Sequence, residues 1–344
     1  MDPDVSLLLE CAVWHGLVES EVQVELSESF NRQTDAALEG QIEEVWTERV
    51  TREPWLFNGS KFRLHSFSFT SRKSSPSPTG SGVDPALGTV AQGSAGDQAS
   101  PGLTLRLGLT CYKDFLGTNW SHRAGALRRR GEAEFGDACA LLAQPLGVGG
   151  VLCTQDAEVV LIRRSQRVAE AGGLLDIPGG HPEPQAVCRS VSDGVCQDGV
   201  SMAVVQQSPN AVVSELFNSV CAEIRDEVNV ELGSLGEPVL MGVALNHTSA
   251  GRPSAEFYVS CSLTSEEVRE LYWRGGPEAN ESTDIVFLSR EEVLQLDSSR
   301  PLWAELCPSA KGAVLLYQLV MPDAPVRPEQ KISDQRVQKH KEKD

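Results

Sequence analysis

The sequence predicts a mixed α/β fold, on three observations. Strand-like and helix-like stretches alternate from Gly147 to Val320, an amphipathic helix carrying three acids runs through residues 215–228, and a helix followed by a strand pair occupies the first third. With 344 residues and 40% hydrophobic content, the chain can build a full core in one large or two modest domains.

Ala36 to Arg49 reads as a helix capped by Thr34 or Asp35, with Leu38, Ile42, Val45 and Trp46 turned inward. Gly40 inside it costs about 1 kcal/mol relative to alanine. Lys61 to Phe69 and Leu103 to Thr110 alternate apolar and polar residues, which predicts two strands of one hairpin with Leu103, Leu105, Leu107 and Leu109 on one face. Between them, residues 71–102 are dominated by Ser, Pro, Gly, Ala and Thr. Such a segment buries too little surface to offset its ordering entropy, so a disordered insert is expected. His122 to Arg130 predicts a second helix, and residues 1–144 together an N-terminal α+β domain.

Residues 145–322 form the second expected domain. Gly147 to Thr154, Glu158 to Ile162, Val239 to Leu245, Glu256 to Leu263 and Ile285 to Leu288 read as strands. Ser265 to Tyr272 reads as a helix opened by the capping pattern Thr264-x-x-Glu267, and Ala310 to Val320 as a helix with Ser309 just ahead of it. Residues 323–344 are charged and Pro-punctuated, which predicts a disordered tail.

Composition narrows the function. A net charge of −18 argues against a general nucleic-acid binder and repels phosphorylated ligands at long range, so local arginines and a metal would have to reverse the sign at any phosphate site. No apolar run of about 18 residues and no basic-then-hydrophobic N-terminus is present, so neither a membrane span nor a secretory signal is expected. The nine cysteines are scattered and include no C-x-x-C pair, which fits small core residues of an intracellular protein, cytoplasmic or nuclear.

The acidic helix carries the chemistry. Leu216, Val220, Ile224 and Val228 stack into one apolar stripe, while Glu223, Asp226 and Glu227 gather on another face. Like charges at that spacing repel, so the patch needs open water or a cation. Upstream lies Asp176-Ile177-Pro178-Gly179-Gly180-His181-Pro182-Glu183, which reads as strand end, tight turn and loop.

Together these segments resemble the signature of the Nudix hydrolases, G-x5-E-x7-R-E-U-x-E-E-x-G-U. Glu223 falls on the first Glu of R-E-U-x-E-E, Ile224 on the aliphatic U, Asp226 and Glu227 on the final acids, and Val230 on the last aliphatic position. Ala222 stands where the family has Arg, Asn229 where it has Gly, and Ser214 where the first Glu would fall, with Glu215 one place off. An insertion from Gln185 to Val213 separates the two halves. Asn is the mildest replacement for Gly in a left-handed helix terminus. Dispersed segments also resemble the branch that splits UDP-glucose and UDP-galactose. They include Pro54-Trp55-Leu56-Phe57, Lys61-Phe62-Arg63-Leu64-His65, Tyr112-Lys113-Asp114-Phe115-Leu116-Gly117-Thr118-Asn119-Trp120 and Asn246-His247-Thr248-Ser249-Ala250-Gly251-Arg252.

The resemblance implies the Nudix α/β/α sandwich and magnesium, with manganese as the alternative. It further implies hydrolysis of a nucleotide sugar to UMP and a sugar 1-phosphate. Rival readings are another nucleoside diphosphate derivative, such as ADP-ribose or a coenzyme A ester, or a nucleotide binder without turnover. Glu223 and Glu227, one turn apart, are the expected metal ligands, with Asp226 joining through water or a second metal. Glu223 or Glu227 is the expected base, and Glu256, Glu278 and Glu281 are weaker candidates that read as solvated surface. Of Arg163 and Arg164, strand alternation turns one inward, and Arg164 is the choice for phosphate. Asp176 and His181 would meet the sugar or metal-bound water, and Ser309 would cap its helix or offer its hydroxyl to phosphate. Phe57 and Tyr112 are the aromatic candidates for uracil, whereas Trp55 and Trp120 read as core.

Overall fold

A computed structural model describes residues 2–72, 100–168, 170–191 and 200–324. Strand β1 (Val5–Glu10) is followed by β2 (Val22–Leu26), helix α1 (Ala36–Arg52), strands β3 (Ser60–Arg72) and β4 (Ser100–Cys111), and helices α2 (Tyr112–Gly117) and α3 (Ala124–Phe135). Next come β5 (Gly147–Cys153), β6 (Glu158–Arg164), the two-residue strands β7 (Leu175–Asp176) and β8 (Gly179–Gly180), and helices α4 (Pro184–Val191), α5 (Met202–Val205) and α6 (Pro209–Val228). The chain continues through β9 (Val239–Asn246), β10 (Arg252–Ser260), α7 (Ser265–Arg274), β11 (Ser282–Ser289), α8 (Arg290–Leu294) and α9 (Pro308–Val320).

The large sheet has the order β1-β9-β10-β5-β6-β11, with β7 added beside β6 and β8 beside β5. β10 and β5 run parallel, Ser254 opposite Gly147 through Ser260 opposite Cys153, and the other pairs are antiparallel. Alternate residues feed opposite layers, as the two-residue strand period requires. Val148, Leu152, Val160 and Ile162 join the cluster that holds Leu216, Val220, Ile224 and Val228 of α6. Val151, Val159 and Leu161 join Ala313, Val314 and Tyr317 of α9. The result is helix, sheet, helix.

The expected hairpin is present as β3 and β4, and β2 adds to it in parallel. Leu103, Leu105 and Leu107 are buried on one face, as their alternation predicts. α1 is capped by Asp35, whose side chain accepts from the Leu38 amide at 2.8 Å, and Gly40 sits where no neighbour crowds it. α7 opens with the expected capping box of Thr264 and Glu267.

Several expectations need correction. β1 pairs with β9 inside the large sheet, and the three-stranded sheet shares one apolar cluster with α6. The ends of the 71–102 insert are strand, because β3 runs to Arg72 and β4 starts at Ser100; residues 73–99 lie outside the described residues. The helix placed at 122–130 starts at Ala124 and runs to Phe135, where Gly136 in the left-handed conformation (φ 68°) ends it. The strand placed at 256–263 starts at Arg252. Asp323, assigned to the tail, accepts from Arg290 Nε and the Tyr317 hydroxyl, both at 2.7 Å; residues 325–344 lie outside the described residues. Among the described residues no helix is long and apolar enough to cross a membrane.

Candidate active site

Pro209 in the first turn and Asn229 at the left-handed C-cap (φ 64°) bound α6. Its apolar stripe buries against the sheet, which aims Glu223 and Glu227 at β8. There the Gly179 N–H donates to Glu227 Oε2 at 2.8 Å. The Gly-Gly segment is a short strand paired with β5, Gly180 opposite Val148, rather than a free turn. A Cβ on residue 180 would collide with Glu223 Oε1, so the close approach of strand and carboxylate requires glycine.

A third element adds acids. The loop after α7 docks on the end of α6, with the Glu278 N–H donating to the Asp226 carbonyl at 3.1 Å. Its far end is held by the Ser165 N–H, which donates to the Glu281 carbonyl at 2.7 Å. Carboxylate oxygens of Glu227, Glu278 and Glu281 thereby lie within 4.8 Å of one another. Burial raises Glu227, which is 4% exposed, well above the usual carboxylate range. Burial, then the Glu278 carboxylate, pushes Glu223 up to about 7, and burial with Glu281 raises Glu278. Acids crowded in this way are suited to hold a hard divalent cation, whose charge returns them to the ionised form. Asp226 does not join them. Both its oxygens accept from Arg225 at 2.7 Å, and they lie outside the cavity wall.

Opposite the acids, a cavity of about 330 Å³ is walled by Lys61 from β3, Arg164 from β6 and Arg252 from β10. Arg164 donates to Asp176 Oδ2 and to the Glu170 carbonyl, each at 3.1 Å. Arg163 turns away to the Gly173 carbonyl and Glu305, as strand alternation demands. Asp176 is buried, accepts from the Ile177 N–H at 2.9 Å and has the Ser309 hydroxyl 3.5 Å away. Ser309 lies inside the first turn of α9, whose N-cap is Cys307, so it does not cap the helix. His181 is pushed well below its usual range by burial and by Arg252 and Lys61, so it is neutral at pH 7; Arg252 lies 3.4 Å from its Nε2.

Glu256, read from sequence as solvated surface, is fully buried beside this cavity. Among the described residues neither of its carboxylate oxygens has a hydrogen-bond partner of ordinary geometry, although Ser254 lies close by on β10. Burial pushes it up to about 8. A Cβ at residue 149 would strike Glu256 Oε2 and Ile177 Cδ1, so glycine there leaves these side chains their room.

The phosphate-sized cavity opens onto an annex of about 200 Å³ lined by Tyr112, Phe115 and Trp120. Tyr112 and Phe115 stack at 6.3 Å between centroids, Phe115 and Trp120 at 6.1 Å, and the Arg252 guanidinium lies 5.8 Å from the Phe115 ring. A buried network fixes these parts: Asn119 donates to the Ser249 carbonyl and Gln144 to the Gly251 carbonyl, each at 3.1 Å. Phe57 is outside, 71% exposed and folded over Gly59. Trp55 and Trp120 are exposed at 77% and 41%, so neither is core.

The structure thus brings Glu223, Arg164, Asp176, His181, Ser309 and Tyr112 to the walls of connected cavities, places a Glu227 oxygen within 4.8 Å of Glu278 and Glu281, and leaves Asp226 and Phe57 off those walls. Sequence reasoning assigned no role to Lys61, Glu170 or Arg252. Lys61 and Arg252 stand in the dispersed segments quoted above, and that was their only signal.

No protein-family model matches the sequence. The chain is 50% identical over 317 residues to the uridine diphosphate glucose pyrophosphatase NUDT22 of Mus musculus, covering 92% of this chain and 91% of that protein. The Homo sapiens protein of the same name is 48% identical over 320 residues, covering 93% and 94%. Nudix hydrolase 9 of Arabidopsis thaliana is 30% identical over 326 residues, covering 93% of each. Solved structures align over about half the chain. The MutT protein of Methanosarcina mazei Go1 is 14% identical, with 52% of this chain and 95% of that one covered and a TM-score of 0.29. A Nudix hydrolase of Alicyclobacillus acidocaldarius is 12% identical, with 52% and 91% covered and a TM-score of 0.32. With relatives so named aligned over more than nine-tenths of its length, the chain belongs to the Nudix hydrolases.

Proposed function

We propose that the protein hydrolyses the diphosphate of a UDP-sugar, UDP-glucose first, to UMP and glucose 1-phosphate with magnesium. The observation that carries the reading is one cavity in which Glu223, Glu278 and Glu281 face Lys61, Arg164 and Arg252 and an aromatic annex opens alongside. The names of the relatives supply the nucleotide and the sugar.

Nudix hydrolases use divalent metal ions, and Glu223, Glu227, Glu278 and Glu281 would hold magnesium here, manganese being the alternative. When bound, the ion draws charge from the phosphate oxygens and makes a coordinated water more acidic. The chain's own groups do the rest. Lys61, Arg164 and Arg252 offset the negative charge of the diphosphate at a site that the net charge of −18 would otherwise make repulsive. Asp176 and Glu170 orient Arg164 through the bonds already described, leaving its guanidinium edge beside the cavity. Tyr112, Phe115 and Trp120 offer flat faces for uracil. The Gly179 amide steadies Glu227 where the family's arginine is replaced by Ala222.

Purified protein incubated with magnesium and UDP-glucose should release UMP and glucose 1-phosphate in equal amounts, with ADP-ribose and coenzyme A as slower competitors. Binding of UDP-glucose without release of either product would sink the enzyme reading.

A further inference from the structure

On the α9 side, the phosphate-sized cavity continues into a third cavity of about 280 Å³, the two sharing Asp176, Asn246, Arg252 and Ser309 along their common wall. Its size is near the lower end for small-molecule sites, roughly 300 Å³. Its walls come from distant parts of the chain: Asp4 before β1, Trp120, Asn246 and Thr248 at the end of β9, and Lys311 on α9.

This wall is built. Lys311 is 7% exposed, and its ammonium donates to Asp2 Oδ2 at 2.9 Å and lies 3.5 Å from Asp4 Oδ2. The Trp303 indole N–H donates to the same Asp2 oxygen at 2.6 Å, which pins the chain before β1 against α9. Asn246 Oδ1 accepts from the Thr248 N–H at 3.0 Å and from its hydroxyl at 2.7 Å, so the hydroxyl lone pairs are left to accept. Carboxylate, ammonium, amide and hydroxyl thus stand around one space, beside the indole of Trp120.

We propose that this third cavity binds the hexose of the nucleotide sugar; the proposal rests on the diphosphatase reading above. A hexose carries several hydroxyls, each both donor and acceptor, around a ring with an apolar face. Mixed donors and acceptors beside an indole suit that chemistry, whereas the aromatic annex with Tyr112 and Phe115 suits a flat base. Asp4 is paired with Lys311 and Glu170 with Arg252, so the wall offers balanced donors and acceptors rather than a surplus of positive charge, which suits a neutral polyol. The diphosphate then lies in the middle cavity, with base and sugar on opposite sides of Arg252, which borders all three spaces.

The test uses the full chain and two variants, Thr248→Val and Asp4→Asn. KM for UDP-glucose and inhibition constants for glucose 1-phosphate and UMP are measured for each. Both variants should weaken glucose 1-phosphate and UDP-glucose about 10-fold while the UMP constant stays at the wild-type value. Wild-type constants for glucose 1-phosphate in both variants, with normal turnover, would overturn the hexose site alone, and so would equal weakening of UMP. No turnover of UDP-glucose by the wild-type protein would overturn the diphosphatase reading instead. Calorimetry with glucose 1-phosphate on the same three proteins then decides the hexose site without catalysis.

Discussion

The Gly179 amide donates to Glu227 Oε2 at 2.8 Å, tying the Gly-Gly strand to the acidic helix across 48 residues of sequence. Glu227 is the most buried acid of the group, and this backbone bond sets its direction. Glu227→Gln keeps the acceptor for that amide and removes the charge. Turnover of UDP-glucose should fall at least about 100-fold, while thermal unfolding in EDTA occurs at the wild-type temperature or above, since the amide carries neither the cost of a buried charge nor that of taking up a proton to avoid it. Unchanged turnover would remove Glu227 from the metal site.

Gly180→Ala places a methyl group against Glu223 Oε1. The carboxylate must swing aside or the strand must shift, at a cost of about 1–3 kcal/mol in stability. Manganese affinity by calorimetry should drop about 10- to 100-fold. An alanine variant with wild-type affinity would mean that Glu223 does not hold the ion.

Glu256 gives the metal-free protein a pH signature. Its carboxyl lies at about 8 in the fold against 4.5 for the free side chain, so between those values the folded state binds more protons than the unfolded state. Its stabilising share is complete below about 4.5 and is lost as pH rises through about 8, at up to roughly 1.4 kcal/mol per pH unit. Glu223 adds a similar slope up to about 7. Denaturation curves in EDTA should show Glu256→Gln gaining on the wild type from pH 5 to pH 8. Parallel curves across that range would show that Glu256 is not held protonated.

The annex should read the base. Replacing Trp120 or Tyr112 by Leu removes a stacking face worth about 1–3 kcal/mol, which corresponds to roughly 5- to 150-fold in KM for UDP-glucose and in the inhibition constant for UMP. Phe57→Ala, on an exposed ring outside the cavities, should leave both constants unchanged. A large effect at Phe57 with none at Trp120 would move the base to another surface.

What was legible in the sequence followed from local period and local chemistry. The stripe of Leu216, Val220, Ile224 and Val228 sets the rotation of α6, and that rotation alone aims Glu223 and Glu227 at the sheet. Adjacency on the helix says that Asp226 is near the other acids, not that the neighbouring Arg225 takes both its oxygens. Lys61, Arg252, Glu278 and Glu281 lie on β3, β10 and the loop after α7. Their meeting depends on strand order and on the Glu278 amide docking against α6, which no periodicity encodes. β1 was missed for the same reason: its partner β9 lies more than two hundred residues away, Val5 pairing with Asn246. Trp120 reads as core by residue type, and only its placement beside Phe115 at the cavity mouth reveals a binding face.

The most direct measurement is anomalous X-ray scattering from a crystal soaked with manganese and UMP. The manganese peak is expected among Glu223, Glu227, Glu278 and Glu281, with the UMP phosphate beside Arg164 and the uracil ring against Tyr112 or Trp120. A manganese peak away from α6, or a nucleotide lying outside these cavities, would contradict the assignment of this acidic helix as the site of diphosphate hydrolysis.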